Sequence, residues 1–586
     1  MSSSPASDAA SELLAELVAH GVRDLVLSPG SRSQALALAA TSLARTGALR
    51  VHVRIDERVA GFTALGLARE SRVPVAVLCT SGTAAGNLLP ATMEAFHSGI
   101  PLLLLTADRP PELRGVAANQ ATVQPGLFGP FVRLHIDAEV PGASGASDVS
   151  DETGAEQRVA GDGADGEPEG PVVPTAGTAW TGLGERAVRA ALGLEGDGLA
   201  GVAGPVHLNL PMRAPLSAAA EVTATPGDAP TAPPAEPVVL PRGPRTIVVA
   251  GADAGPDAEE LSHAGSWPLI AEIVSGARFG RLLVHGYRAL LQKESLGGRI
   301  ERVVVFGHPT LSREVAALLS RPDVDVIAVR AGGEALNLNG RTRAVAAVGA
   351  EAGAADRLWL GEWMTASQES AIDLSAPAPD QKGLYSEDRT ERLDAVRAEL
   401  EAVRQRVDRR ILADAVWRAT WPHDRLVFGS SRLVRVADQV LGGKKVPVHA
   451  NRGLAGIDGT VATGIGIALA SQGDGAPGVT RVLLGDLAFL HDVGALLLPA
   501  DEPAPRIQVI VGNDRGGTIF DGLEVASSAE PADLDRAFYT PHAAQFAELA
   551  AAYGWQFLQV STRSALDQAL TSAISGPQII EVPLER

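Results

Sequence analysis

Residues 481–520 read RVLLGDLAFLHDVGALLLPADEPAPRIQVIVGNDRGGTIF. The first apolar run, Arg481 to Leu484, stops at Gly485-Asp486. A segment of helical character follows, and a second apolar run, Ile507 to Val511, stops at Gly512-Asn513-Asp514. Two short β-branched runs joined by a crossover helix predict a βαβ unit with parallel strands. Both polar endings then fall on the same sheet edge, where open α/β sheets bind ligands. Asp486 can converge there with Asn513 or Asp514, and the loop Arg515-Gly516-Gly517 brings backbone close by. A carboxylate, a second side-chain oxygen and a backbone carbonyl suit a hard cation. Mg²⁺ in such a partial cage completes its octahedron with phosphate oxygens and water. On spacing alone the plainer alternative is a metal-free sheet whose strands merely end in polar residues.

The whole chain sets the outer limits. At 586 residues it is too long for one core, and the usual domain size predicts three. No run approaches the ~20 apolar residues of a membrane span. The opening MSSSPASDAASELLAELVAHG lacks the basic region and apolar core of a signal peptide. A single cysteine, Cys79, excludes an internal disulfide and a cysteine-based metal cluster. These features predict a soluble, cytoplasmic protein without a membrane partner. The formal charge of −19 argues against nucleic acid, whose phosphates need a basic face. Anionic small molecules remain possible ligands if arginines gather in one cleft.

Elsewhere the same grammar recurs: a strand, then a polar cluster, then a helix. Val22 to Leu27 runs into Ser28-Pro29-Gly30-Ser31-Arg32-Ser33 and a helix from Gln34. Free N–H groups at such a helix start attract an anion, and Arg32 adds a charge. The alternative is a tight turn with Ser33 as N-cap. Val51 to Ile55 leads to Asp56-Glu57-Arg58 and a helix from Val59, where Glu57 can serve simply as a charge favoured by the helix dipole. Val73 to Cys79 leads to Thr80-Ser81-Gly82, whose small residues permit a planar ring, or only tight helix packing. Ile100 to Thr106 is followed by Asp108-Arg109 and then by Asn119-Gln120.

Composition divides the chain further. Residues 1–213 form the first expected domain, interrupted at about 138–178 by an acidic insertion with almost no large apolar residues, which predicts disorder. Residues 214–245 are a Pro/Ala-rich linker. A second α/β domain spans 246–385, with strands expected at 269–273, 302–306 and 324–329. Its GADAG turn is too weak a signal for a nucleotide site. A charged helix from Arg389 to Asp408 opens the last domain, 386–586. There Ser431, Arg435 and the stretch Asn451 to Gly459 follow short strands. The fold class is α/β, with three doubly wound parallel-sheet domains.

Gly485-Asp486, followed after a helix and a strand by Asn513, resembles the thiamine-diphosphate motif of the decarboxylase and acetohydroxyacid-synthase superfamily. The usual pattern is Gly-Asp-Gly and later Asn-Asn; here Leu487 replaces the last Gly and Gly512 the first Asn, while Asn513 keeps the ligand position. SPGSRS, DERVAGFTALGLA, TSGTAAGNLLPA, TADRPPELRG and ANQA, in that order, narrow the resemblance. Together they are similar to the 2-succinyl-5-enolpyruvyl-6-hydroxy-3-cyclohexene-1-carboxylate synthases of menaquinone biosynthesis.

The resemblance implies thiamine diphosphate and Mg²⁺ (or Mn²⁺) as cofactors. The metal would be held by Asp486, Asn513 and the carbonyl of Arg515, with Asp514 as the fallback ligand. The coenzyme would lie among Glu57, Thr80, Gly82, Ser431, Gly456, Ile457, Gly485, Asp486, Leu487, Asn513, Ile519 and Phe520. Glu57 would share a proton with the aminopyrimidine ring; Arg32 and Gln120 would assist catalysis. Ser31, Arg32, Arg109, Asn119, Gln120, Ser431, Arg435 and Arg452 would bind 2-oxoglutarate and isochorismate, both dicarboxylates that suit arginine clamps. The family works as a homodimer with active sites at the subunit interface; pairing of two dimers into a dimer of dimers is left open. Its domains are pyrimidine-binding, central and diphosphate-binding. Two alternatives stand beside this reading. One is another thiamine-diphosphate carboligase of the acetohydroxyacid-synthase type; the other is a non-catalytic α/β binding protein with a relic site.

Overall fold

The computed structural model describes residues 4–142, 180–195, 201–218, 221–329 and 332–586. From residue 143 onward the expected acidic insertion lies outside the described residues. The chain divides into two compact units. One comprises Met1–Gly61, Val73–Thr92 and Pro101–Thr231; the other comprises Phe62–Arg72, Met93–Ile100 and Ala232–Arg586.

The first unit is built on six parallel strands, β1 (Asp24–Leu27), β2 (Arg50–Val53), β3 (Val75–Cys79), β4 (Leu102–Asp108), β5 (Leu134–Asp137) and β6 (Val206–Pro211). Their order is β2-β1-β3-β4-β6-β5. Continuous apolar runs such as VAVLC and LLLLTAD belong in a sheet covered on both faces, and every residue of β3 and β4 is buried. Leu13, Leu17, Leu36, Leu105 and Leu208 share one core cluster, each contributing roughly 1.5–3 kcal/mol by burial. The order reverses between β1 and β3. Because parallel crossovers are right-handed, helices go to opposite faces there and open a crevice at the strands' carboxyl ends.

The second unit carries a short ribbon and two larger sheets. The ribbon pairs β7 (Val238–Leu240) with β13 (Val348–Ala350). The middle sheet orders β8 (Thr246–Ala250), β9 (Leu269–Ala271), β10 (Arg302–Phe306), β11 (Asp325–Val329) and β12 (Arg343–Val345) as β12-β11-β10-β8-β9. The last sheet contains β14 (Arg425–Phe428), β15 (Val448–His449), β16 (Thr480–Gly485), β17 (Ile507–Asn513), β18 (Gln556–Gln559) and β19 (Gln578–Pro583). Its order, β15-β14-β16-β17-β19-β18, repeats that of the first sheet strand for strand. Ile273, Val274 and Leu311, from loops of the middle sheet, pack in one cluster with Leu433, Val434 and Ala437 of the last.

Several element ends differ from expectation, each for a visible reason. β9 stops at Ala271 rather than Ile273, because the Ile273 N–H donates instead to Asp438 Oδ1 at 2.9 Å. The helix expected from Val59 begins at Glu57, since Asp56 Oδ1 accepts from the N–H groups of Arg58 and Val59. The charged helix ends at Arg404, not Asp408, because Asp408 caps the next helix by accepting from Arg410 and Ile411. Ser33 sits at an N-cap position, but its hydroxyl donates to the Gly30 carbonyl at 3.2 Å and caps nothing. Among the described residues no helix is long and apolar enough to cross a membrane.

Candidate active site

The βαβ unit read from residues 481–520 forms as expected: β16 and β17 are adjacent and parallel, with Gly485 opposite Gly512. Asp486 and Asn513 therefore occupy equivalent positions, one residue beyond the paired glycines. Asp486 is 2% exposed. Its Oδ1 accepts from Leu487 N (2.8 Å), and its Oδ2 from Gly516 N (2.8 Å) and His542 Nε2 (3.0 Å). Burial pushes the Asp486 carboxyl above its ordinary value, the His542 bond opposes that, and the charge of Asp514 adds to it. Asn513 donates from Nδ2 to Glu581 at 2.6 Å, which fixes its amide and leaves Oδ1 to accept from Arg515 N at 3.0 Å. Arg515 adopts a left-handed φ of 58°, a conformation that costs a non-glycine residue about 1–2 kcal/mol and redirects its carbonyl. Asp514 is engaged elsewhere, by Arg409 Nη2 (2.6 Å) and Thr518 Oγ1 (2.5 Å).

A cleft of ≈ 150 Å³ opens at this edge, lined by Ser431, Ile457, Gly485, Asp486, Leu487, Ile519 and Phe520 among others. Gly456, Asn513 and Arg515 are not in its lining. The volume is below the ~300–1,000 Å³ usual for a whole ligand, so the cleft suits one end of a larger molecule. Ser431 caps the helix Arg432–Val440 by accepting from Leu433 N at 3.2 Å, so the positive end of that helix dipole opens on the cleft. A buried carboxylate short of positive charge, a fixed amide oxygen and a helix N-terminus match a divalent cation carrying a diphosphate. Among the described residues no group of three His, Cys, Asp or Glu could hold a metal alone. A metal here needs the amide, a carbonyl and ligand oxygens.

Beside the cleft lies an arginine cluster that the sequence showed only in part. Arg435 makes no hydrogen bond or ion pair among the described residues. Although Arg435 is exposed, partial desolvation and then the charges of Arg288 and Arg313 hold its guanidinium below the ordinary value. Arg313 likewise has no partner among the described residues; neither it nor Arg288 was singled out from the sequence. Arg452 is 5% exposed and already engaged, donating from Nε to Thr310 Oγ1 (2.8 Å), from Nη1 to Ser430 Oγ (3.2 Å) and from Nη2 to the Thr310 carbonyl (3.2 Å). Its loop is anchored by Glu94, which accepts from Gly453 N and Leu454 N at 2.9 and 2.8 Å.

Under the cluster, Glu272 is fully buried and accepts from Thr310 N (3.0 Å) and Leu311 N (2.7 Å). Burial, reinforced by the charge of Asp438 and opposed by these bonds and Arg452, pushes its carboxyl up to about 7. The folded value exceeds the unfolded one, so this group's stabilisation is complete below the ordinary glutamate value and fades as pH rises through about 7. Glutamine does not titrate, but its NH₂ cannot accept the second N–H. Glu272→Gln should therefore cost about 1–3 kcal/mol near pH 5, and the gap to wild type should narrow by pH 8. Thermal midpoints of both proteins across that range check this; a gap that widens with pH means Glu272 is ionised in the fold.

The first unit gathers the other candidates around its own crevice. Thr80 Oγ1 accepts from Arg32 N at 3.2 Å, while Arg32 Nη1 donates to the Met212 carbonyl at 3.2 Å. Ser81 Oγ donates to the Gln120 carbonyl (2.9 Å) and Gln120 Nε2 donates back to the Ser81 carbonyl (2.8 Å). Gly82 has φ 87°, a conformation that favours glycine, and a Cβ there would also press on Gln120 Cγ at 3.0 Å. Arg109 Nη2 donates to the Asn119 carbonyl at 2.7 Å. Ser31, Asn119 and Gln120 are exposed; Glu57 is half-buried at its helix start, and its carboxylate makes no hydrogen bond among the described residues. Its charge, after burial, helps push up the Cys79 thiol, which places Glu57 close to the end of β3.

Three comparisons bear on these sites. Residues 8–127 match the thiamine pyrophosphate enzyme, N-terminal TPP binding domain, and residues 437–582 match the corresponding C-terminal TPP binding domain. A 2-succinyl-5-enolpyruvyl-6-hydroxy-3-cyclohexene-1-carboxylate synthase of Leifsonia xyli subsp. xyli is 50% identical, covering 99% of this chain and 97% of its own. The synthase of Clavibacter michiganensis subsp. michiganensis matches at the same identity and coverage. This chain belongs to that synthase family. A more distant relative of the same name, from Mycolicibacterium vanbaalenii, is 36% identical over 99% of this chain and 97% of its own. Among solved structures, benzoylformate decarboxylase from Polynucleobacter necessarius shares the fold, with a TM-score of 0.60 at 16% identity over 99% of this chain and 98% of that one. The α/β parallel-sheet class and the family expected from the sequence are thus borne out. As a synthase with both thiamine pyrophosphate domains, the protein is a thiamine-diphosphate-dependent enzyme.

Proposed function

We propose that this synthase decarboxylates 2-oxoglutarate and joins the remaining four-carbon unit to isochorismate, releasing CO₂. The C1–C2 bond of the keto acid breaks, C2 bonds to the conjugated ring carbon of isochorismate, and one proton is taken up. The observation that carries this reading is the pair of guanidiniums, Arg313 and Arg435, that have no partner among the described residues, beside a cleft suited to a diphosphate. Two dicarboxylate substrates need a surplus of fixed positive charge, and arginine supplies it bidentately.

Thiamine diphosphate, when bound, supplies the electron sink for the decarboxylation. Asp486, Asn513 and the Arg515 carbonyl would hold Mg²⁺ (or Mn²⁺), with the diphosphate at Ser431 and the start of the helix Arg432–Val440. The Glu57 carboxyl, which makes no protein hydrogen bond among the described residues, would exchange a proton with the coenzyme's aminopyrimidine ring. Leu487, Ile457 and Phe520 give the cleft apolar walls that would keep water from a bound coenzyme. Arg32, Arg109, Asn119, Gln120, Arg435, Arg452 and Arg313 are the residues proposed to orient substrate. Residues 1–213 are the pyrimidine-binding domain, 246–385 the central domain and 386–586 the diphosphate-binding domain, with 214–245 as linker. The proposed working form is a cytoplasmic homodimer with active sites at the subunit interface.

The test supplies protein, thiamine diphosphate, Mg²⁺, 2-oxoglutarate and isochorismate and follows isochorismate loss with and without the keto acid. Loss that does not depend on the keto acid overturns the proposal. Arg435→Ala should raise the KM of at least one dicarboxylate by about 10- to 100-fold, the usual cost of a lost charged hydrogen bond. Arg435 is exposed, so its thermal midpoint should stay near wild type. Unchanged KM values for both substrates remove Arg435 from the site.

A further inference from the structure

Four guanidiniums, those of Arg288, Arg313, Arg435 and Arg452, converge although their charges repel. Arg435 feels Arg288 and Arg313, and Arg452 feels Arg435. Something must hold them together before any substrate arrives, and two carboxylates behind them are placed to do so. Asp438 is 1% exposed. Its Oδ2 accepts from Tyr287 Oη (2.6 Å) and Arg288 Nη2 (2.7 Å), and its Oδ1 accepts from Ile273 N (2.9 Å). It stands three residues after Arg435 on the helix Arg432–Val440, so one side chain fixes both Arg288 and the backbone carrying Arg435.

Glu272, the residue before Ile273, serves the other two. It accepts from Thr310 N and Leu311 N, and Thr310 in turn accepts from Arg452 Nε and Nη2. Ser312 then caps the helix Arg313–Leu319 by accepting from Val315 N at 3.0 Å, which sets where Arg313 starts. The adjacent residues Glu272 and Ile273 thereby tie the loop after β9, the loop after β10 and the helix Arg432–Val440 into one frame.

We propose that Asp438 and Glu272 are positioning residues for substrate binding: untouched by substrate, they hold the four arginines in register to receive its carboxylates. The inference rests on the proposed function for the identity of the substrates. A misplacement of about 1 Å at a binding group can cost as much as 10²-fold in rate. The alternative is that the pair merely joins two sheets, or dilutes the positive field.

Asp438→Asn separates these possibilities by sign. Removing a negative charge strengthens the field, so a diluting carboxylate predicts a lower KM for 2-oxoglutarate and isochorismate. A purely structural one predicts an unchanged KM with a lower thermal midpoint. The positioning role predicts KM values raised about 10-fold or more, with thiamine diphosphate affinity within twofold of wild type. Tyr287→Phe removes one bond to Asp438 without changing charge and should move KM in the same direction, by a smaller factor. It keeps the test open if Asp438→Asn does not fold. KM values that stay level or fall in the folded variants overturn the proposal, as does loss of thiamine diphosphate affinity in parallel. If the wild-type protein does not condense the two substrates, the functional reading falls by itself. The positioning role is then read from the calorimetric Kd of 2-oxoglutarate on thiamine-diphosphate-loaded protein, where a wild type that does not bind, or a Kd that Asp438→Asn leaves unchanged, overturns it.

Discussion

Glu57→Gln should lower kcat by about 10²- to 10⁴-fold, the range of a lost general acid–base group, while thiamine diphosphate binds within a few-fold of wild type. The substitution is nearly isosteric, and glutamine starts a helix about as well as glutamate does. It keeps a hydrogen-bonding oxygen but can neither hold nor release the proton. The side chain is half-buried, carries no hydrogen bond among the described residues and sits near the buried Cys79. A half-buried carboxylate with no protein partner among the described residues is available to a ligand, as the proposed role requires. Steady-state turnover and calorimetric coenzyme binding check the two halves separately. Near-normal turnover ends the assignment, and loss of coenzyme binding makes Glu57 a binding group instead.

Asp486→Ala should act on the other quantity, weakening thiamine diphosphate by at least about 100-fold even in excess Mg²⁺, with kcat recovering in part only at high coenzyme concentration. A ligand carboxylate contributes more than the outer groups that orient it, whose loss alone typically costs 10- to 100-fold in metal affinity. Asn513→Ala should behave similarly. Asp514→Asn should not, because that carboxylate is spent on Arg409 and Thr518, and its loss should lower the thermal midpoint instead. If Asp514→Asn abolishes coenzyme binding while Asn513→Ala spares it, the ligand assignment is off by one residue.

The edge carrying Asp486 and Asn513 was legible because a strand end is written locally. An apolar run breaks at Gly-Asp or Gly-Asn, and two such breaks on adjacent parallel strands must share a rim. The same logic exposed Arg32, Glu57, Thr80 and Arg109. What lay hidden depends on which sheets meet. Arg313 follows a strand of a domain that carried no motif, and only the packing of that sheet's loops against the helix Arg432–Val440 brings it near Arg435. Asp438 looks like one polar residue in an amphipathic helix, and Glu272 like the end of a strand. Their partners are 151 and 39 residues away in sequence, a distance that no local pattern spans. The sequence predicts Arg452 as a clamp for a dicarboxylate; in the fold its guanidinium is also held by Thr310.

The one-to-one pairing of Gly485 with Gly512 has a consequence for how this gene can change. Side chains in a strand alternate faces, so inserting or deleting a single codon within Ile507–Asn513 would turn Asn513 away from Asp486 and demolish the rim at a stroke. The crossover between His491 and Ile507 has no such parity to keep. Length variation among descendants of this gene should accumulate there and be purged from the strands on either side.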